Sequence, residues 1–168
     1  KRQVVRKITL ESLHNLLSTI SKDKTQDEDL VKFVDEVFKN IKSNLNADYK
    51  ALASKIICQI PKFSADASKK VALNLSNYIL KESNETALTF MLDAFYTHYF
   101  SLQESVPEIN TTIENGFKEK KPALRKLWFI GFLKNCNNVC IELLETFQSQ
   151  FLEFVTETLN NEHKHDHE

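Results

Sequence analysis

The sequence is short of glycine and proline, with two glycines and three prolines in 168 residues. The turns of a many-stranded sheet draw on both residues, so this scarcity excludes an all-β fold and leaves all-α as the expectation. Long apolar runs are missing as well. The longest, Leu127 to Leu133, falls far short of the ~20 residues that span a bilayer, and no basic-then-apolar leader opens the chain. The expectation is a cytoplasmic chain, neither secreted nor membrane-embedded. Neither sign of charge dominates: 22 basic and 23 acidic residues leave a net charge of −1. No global field therefore recruits nucleic acid or anionic lipid, and any such contact has to be local. Three cysteines, Cys58, Cys136 and Cys140, are odd in number and lie within helical patterns, as suits reduced thiols rather than a disulfide framework. Two glycines leave little material for a phosphate loop or dinucleotide fingerprint, and no HExxH or kinase signature occurs. No enzyme and no cofactor are expected.

What is present is apolar residue at helical spacing, 42% of the chain, including 12 phenylalanines. Residues 1 to 21 place Val5, Ile8, Leu13, Leu16, Leu17 and Ile20 on one face, as in the second helix of a repeat without its first, so an exposed apolar edge is expected there. Thr25 with Glu28 has capping-box spacing for a helix from about 26 to 44, with core face Leu30, Phe33, Val34, Val37, Phe38, Ile41 and Leu45. Asn46 is placed to cap a helix carrying Tyr49, Leu52, Ala53, Ile56, Ile57 and Ile60, stopped by Pro61. A pair at roughly 64 to 81 and 84 to 101 follows. The second of these concentrates Phe95, Tyr96 and Tyr99, read as packing rather than as a stacking platform for a ligand. Residues Val106, Ile109, Ile113 and Phe117 share one face of the next helix, with Ser105 and Glu108 at capping-box spacing and Pro107 in the first turn. Pro122 then opens a helix that is apolar all round from Leu127 to Leu133, so Trp128, Phe129 and Phe132 are expected to bury against neighbours on more than one side. A last amphipathic helix carries Leu144, Phe147, Phe151, Phe154, Val155 and Leu159 to about residue 160, and residues 162–168, with no apolar side chain, are expected to be disordered.

Antiparallel helix pairs with an early proline, a short polar turn and an apolar-Arg step opening the second helix (Leu124-Arg125) resemble the HEAT repeat. Placing the other helices on that step aligns Val5-Arg6, Tyr49-Lys50 and Thr86-Ala87 with it, at spacings of 44, 37 and 38 residues, close to the period of about 40 in such arrays. The expected fold is an all-α HEAT-repeat superhelical solenoid of about eight antiparallel helices over residues 1–161. Because the pattern is already helical at Lys1, the chain is expected to be a segment of a longer array.

Candidate chemistry is sparse. His163, His165 and His167 form a biased tract with nothing to hold a second shell around a metal, so no metal site is expected. Cys136 and Cys140 lack the further ligands zinc needs and read as small buried hydrophobes. His14 and His98 have no Ser or Cys nucleophile in a recognisable motif, so no triad is expected. The one local charge feature is the turn Lys118 to Lys126, whose five cations, Lys118, Lys120, Lys121, Arg125 and Lys126, face one acid, Glu119. They are the candidate partner-binding residues, set against the plainer reading of a solvated turn with Arg125 tied to a neighbouring repeat.

Within HEAT proteins, the run Gly116-Phe-Lys-Glu-Lys-Lys-Pro-Ala-Leu-Arg-Lys-Leu-Trp128 resembles the N-terminal region of the large translational activators of the general amino-acid control (Gcn) pathway. That resemblance implies a noncatalytic scaffold on translating ribosomes. It also implies, through the full-length parent, an ABC-type ATPase partner and activation of the kinase that phosphorylates an initiation factor. Neither membrane contact nor sequence-specific nucleic acid is implied. The alternative, an adaptor of microtubule binding or nuclear transport, fits less well: Trp128 lies inside an apolar helix, and the residue four positions on is Phe132 rather than Asn.

Overall fold

A computed structural model describes residues 2–19, 27–42, 46–60, 65–102, 105–136 and 141–165. These residues form eight α-helices and no strand: α1 Arg2–Thr19, α2 Asp27–Lys42, α3 Ala47–Ile57, α4 Ala65–Ile79, α5 Glu85–Ser101, α6 Pro107–Phe117, α7 Pro122–Asn135 and α8 Ile141–His165. Among the described residues no helix is long and apolar enough to cross a membrane.

Local chemistry sets four of the eight helix starts. The Asn46 side chain accepts from the Asp48 amide at 3.1 Å, and Asn84 accepts from Ala87 at 2.9 Å, capping α3 and α5. Pro107 and Pro122 stand in the first turns of α6 and α7, where a missing N–H costs nothing. The Ser105–Glu108 capping box does not form. Helix α6 begins on Pro107, so Val106 becomes the N-cap, and Ser105 lies one residue too early to reach the helix amides. Its hydroxyl instead accepts from Asn110 Nδ2 at 2.7 Å. Thr25, the other expected cap, lies outside the described residues.

The helices make two layers. Helices α1, α3, α5 and α7 pack side by side in one, and α2, α4 and α6 in the other, with α2–α3, α4–α5 and α6–α7 as hairpins across the layers. Successive members of the first layer run parallel. Near the start of α3, Tyr49 donates its hydroxyl to the Gln3 carbonyl of α1 at 2.9 Å, while Gln59, just beyond its end, reaches Ser18 of α1 at 3.1 Å. Helix α5 is packed by α3, α4 and α7, which explains why Leu88, Met91, Leu92, Phe95, Tyr96 and Tyr99 are all buried. Phe95, Tyr96 and Tyr99 are core, whereas Phe90 is half-buried.

The repeat register shows in the ion pairs. Lys50 Nζ lies 2.6 Å from Glu82, and Arg125 lies 3.5 Å from Glu157, so at two of the aligned steps the basic residue meets an acid 32 residues later, in the next repeat, whereas Arg6 at the first step forms no ion pair among the described residues. Burial alone would raise the Glu82 carboxyl, but the Lys50 ammonium and the Ser83 and Asn84 amides outweigh it and hold the group below its usual range. At the intervening step Ala87 has no cation to offer, and Glu119 accepts from the Lys121 amide at 3.0 Å instead.

Burial of the apolar faces is incomplete in α1, as expected there, and also in α7. In α1 the core residues are Leu10 and Leu17, whereas Val5, Ile8 and Leu16 are more than half exposed. Its main neighbour is α3, so only the flank turned that way is covered. In α7, Trp128, Phe129 and Phe132 are buried, yet Ile130 and Leu133 are 43% and 47% exposed, leaving one face of the apolar run uncovered. Helix α8 joins the array through Phe147, Phe151 and Phe154, which stack on or edge against Phe117, Phe129 and Phe132. Its backbone stays helical to His165, where the composition predicted disorder from 162, because extending an existing helix requires no new nucleus and Glu, His and Lys do not break one. Residues 166–168, including His167, lie outside the described residues.

Candidate functional site

The basic turn joins α6 to α7 and is pinned by its own backbone. The Lys118 amide donates to Glu114 and Asn115 carbonyls at 3.2 Å, Glu119 donates to Gly116 at 3.1 Å, and Arg125 donates to Lys121 at 2.9 Å. Phe117 stacks on Phe129 with ring centroids 4.2 Å apart just beneath. A short turn over a stacked core holds its side chains at fixed positions, which suits a contact surface. The five candidate cations are not equivalent. Lys118 Nζ lies 3.3 Å from Glu114 on its own helix, and Arg125, half-buried, pairs with Glu157 of α8. The latter contact is the tie to a neighbouring repeat that the plainer reading of the turn anticipated. A cleft of about 220 Å³ opens beside the turn, lined by Phe117, Arg125, Phe129, Glu153, Phe154 and Glu157, so acid from α8 faces it. Lys120, Lys121 and Lys126 are exposed and form no ion pair among the described residues. These three remain as uncompensated charge.

Sequence reasoning missed a buried polar cluster. The His98 ring is fully buried, with Nε2 2.9 Å from the Ile57 carbonyl and Nδ1 2.6 Å from the Ser68 hydroxyl, which in turn lies 2.8 Å from Ser101 Oγ. A carbonyl only accepts, so Nε2 carries the proton and Nδ1 accepts from Ser68. No sequence motif joins the two residues: Ser68 is 30 residues away in sequence and adjacent in space. With both side chains at 0% exposure, no substrate reaches the pair; it links the end of α3 to α4 and α5.

Burial lowers the His98 pKa to about 4, against a smaller upward pull from the Ile57 carbonyl. Because the folded value lies below the unfolded one, folding favours the neutral ring. Its contribution to stability is complete above about pH 6.5 and is lost as pH falls toward 4. Lowering pH from 7 to 5 should therefore remove about 2 kcal/mol through this residue. Urea denaturation of wild type and His98→Gln at both pH values measures it. An equal pH response in the two proteins would show that His98 is not held neutral.

Burial first, and the charge of Asp93 second, push the Cys58 thiol up to about 12, far from a reactive thiolate. Cys136 caps the end of α7 with its Sγ 3.1 Å from the Leu133 carbonyl, and Cys140 lies outside the described residues. His14 lines an open cleft of about 360 Å³ together with Lys55, Cys58, Phe90 and Asp93, where the Lys55 ammonium sits 4.4 Å from the Phe90 ring centre. His163 and His165 belong to the last turn of α8. Trp128 is 1% exposed, so the displayed tryptophan of microtubule-binding arrays is not found.

Comparison with known proteins gives a consistent picture. A family model described as general control nonderepressible 1 (Gcn1) N-terminal matches residues 47–165. The eIF-2-alpha kinase activator GCN1 of Saccharomyces cerevisiae is 48% identical over 166 residues, which cover 99% of this chain and 6% of that protein. The chain therefore spans a small part of its relative's length. No solved structure matches.

Proposed function

The chain belongs to the Gcn1 N-terminal family, and from that membership we propose that it is a noncatalytic scaffold segment of a cytoplasmic parent that activates the eIF-2-alpha kinase in amino-acid starvation. The parent acts on translating ribosomes together with an ABC-type ATPase, and this segment lends it a contact surface at the turn of Lys118, Lys120, Lys121, Arg125 and Lys126. The observation that carries the reading is the 48% identity to a kinase activator across 99% of the chain. The geometry is suited to such work. Stacked hairpins hold successive turns at regular spacing over a continuous core and offer a long open surface rather than a closed pocket. The fully buried His98–Ser68 pair offers no reacting group to solvent.

One turn among many repeats modulates binding rather than controlling it, because the parent's other contacts act in parallel. The test therefore belongs in the full-length parent. Changing Lys118, Lys120, Lys121 and Lys126 together to Glu, with folding intact, should weaken cosedimentation with ribosomes, most clearly as salt rises. Unchanged cosedimentation across the whole salt series would remove the basic turn from the reading.

A further inference from the structure

The parallel run of α1, α3, α5 and α7 gives the array two unlike edges. Along one lie the starts of these helices and the turns within each hairpin; along the other lie the starts of α2, α4 and α6. On the first edge, Arg2 and Arg6 of α1, Lys81 of the α4–α5 turn, and Lys120, Lys121 and Lys126 of the α6–α7 hairpin are all exposed, and none forms an ion pair among the described residues. The second edge presents exposed Glu28, Asp66 and Glu108 in the opening turns of α2, α4 and α6. The first edge also carries exposed Asp48 and Glu85 in the opening turns of α3 and α5, so its unpaired cations outnumber its exposed acids rather than stand alone.

We propose that the first edge is an RNA-backbone contact surface, along which Arg2, Arg6, Lys81, Lys120, Lys121 and Lys126 meet successive phosphates. Three observations favour a nucleic-acid backbone over an acidic protein. The cations recur along the array: Lys81 and Lys120 stand at equivalent turns of successive hairpins, each offset by a helix spacing of about 10 Å. A recurring cation row suits a long regular polyanion more than a compact acidic patch. The row is also largely lysine, a residue depleted from protein–protein interfaces and common in phosphate contacts. Finally, the exposed large hydrophobic side chains among the described residues are all aliphatic, so no aromatic platform is offered for stacking bases. Contact is to phosphates, indifferent to sequence and sensitive to salt. RNA, rather than another phosphodiester polymer, is named because the inference rests on the ribosome reading above.

Lys118 and Arg125 are left out of the phosphate row, since each already pairs with a carboxylate. The test uses the full-length parent and a fluorescent 20-base-pair RNA duplex titrated over a salt series. Each neutralised phosphate contributes roughly 0.7 to 0.9 to the slope of log affinity against log salt. Changing Arg6, Lys81, Lys120, Lys121 and Lys126 together to Gln should therefore lower that slope by about 3 to 5. Replacing the same lysines by Arg should restore it, and Lys55→Gln with Lys134→Gln, away from the edge, should leave it unchanged. An unaltered slope in the five-fold variant overturns the inference, as does displacement of the parent from ribosomes by polyglutamate but not by the duplex. A parent that activates the kinase without sedimenting with ribosomes would contradict the functional reading separately, and the duplex slopes would still decide the edge.

Discussion

Trp128→Ala is expected to cost the chain about 3–5 kcal/mol of unfolding free energy. The indole is 1% exposed and stands edge-on to Phe95 and Tyr96, with ring centroids 6.1 and 6.4 Å away. Its backbone carbonyl accepts the Tyr96 hydroxyl at 3.1 Å, so the rings around the cavity are held in place by a bond that the substitution leaves intact. Collapse onto the space is limited, because the lining comes from α5, α6 and α7, each fixed by its own hairpin partner. Most of the transfer and cavity terms should therefore be felt. Reversible urea denaturation followed by circular dichroism measures the loss, and a change under about 1 kcal/mol would be incompatible with this burial.

Gly116→Ala should destabilise by about 3 kcal/mol, against the sign that helix propensity predicts. In an exposed helix interior the same change gains up to about 1 kcal/mol. Gly116 has no positive φ that only glycine would tolerate, so backbone freedom is not the reason for it. The reason is space. A Cβ at 116 would lie 2.1 Å from Trp128 Cδ2 and 2.3 Å from Cε3, inside the indole of the facing helix. Those are ring atoms of a buried side chain rather than the loose end of a flexible one, and α6 and α7 would have to separate. Separation would also shift the 118–121 turn they support. Denaturation of Gly116→Ala gives the sign directly, and a gain in stability would place α6 farther from α7 than the structure has it.

How much of this was legible in the sequence depends on how local its cause is. The eight helices, the proline-opened α6 and α7 and the repeat step at Lys50 and Arg125 follow from spacing, capping and turn chemistry within a few residues, and they were readable. The core stripe of α5 was readable for the same reason. What failed depended on which neighbour covers which flank. An exposed apolar edge on α1 was foreseen, but not that Leu10 and Leu17 would be covered while Val5, Ile8 and Leu16 are not, and the apolar run of α7 did not show that Ile130 and Leu133 would stay 43% and 47% exposed. The His98–Ser68–Ser101 cluster was illegible because its members share no local motif; only the packing of α4 on α5 brings them together. In the candidate site, the cluster of cations was plain in the sequence. Its partition was not: Arg125 is tied by Glu157, which lies on a different helix 32 residues on.

The hairpin that carries the basic turn stands or falls on the contact between Gly116 and Trp128, and a double-mutant cycle isolates it. The cost of Gly116→Ala should vanish, or reverse to a gain of up to about 1 kcal/mol, once Trp128→Ala has removed the indole, giving a coupling energy of about 3 to 4 kcal/mol. Costs that add to within about 0.5 kcal/mol would mean that the two residues do not meet, and the α6–α7 packing described here would be wrong.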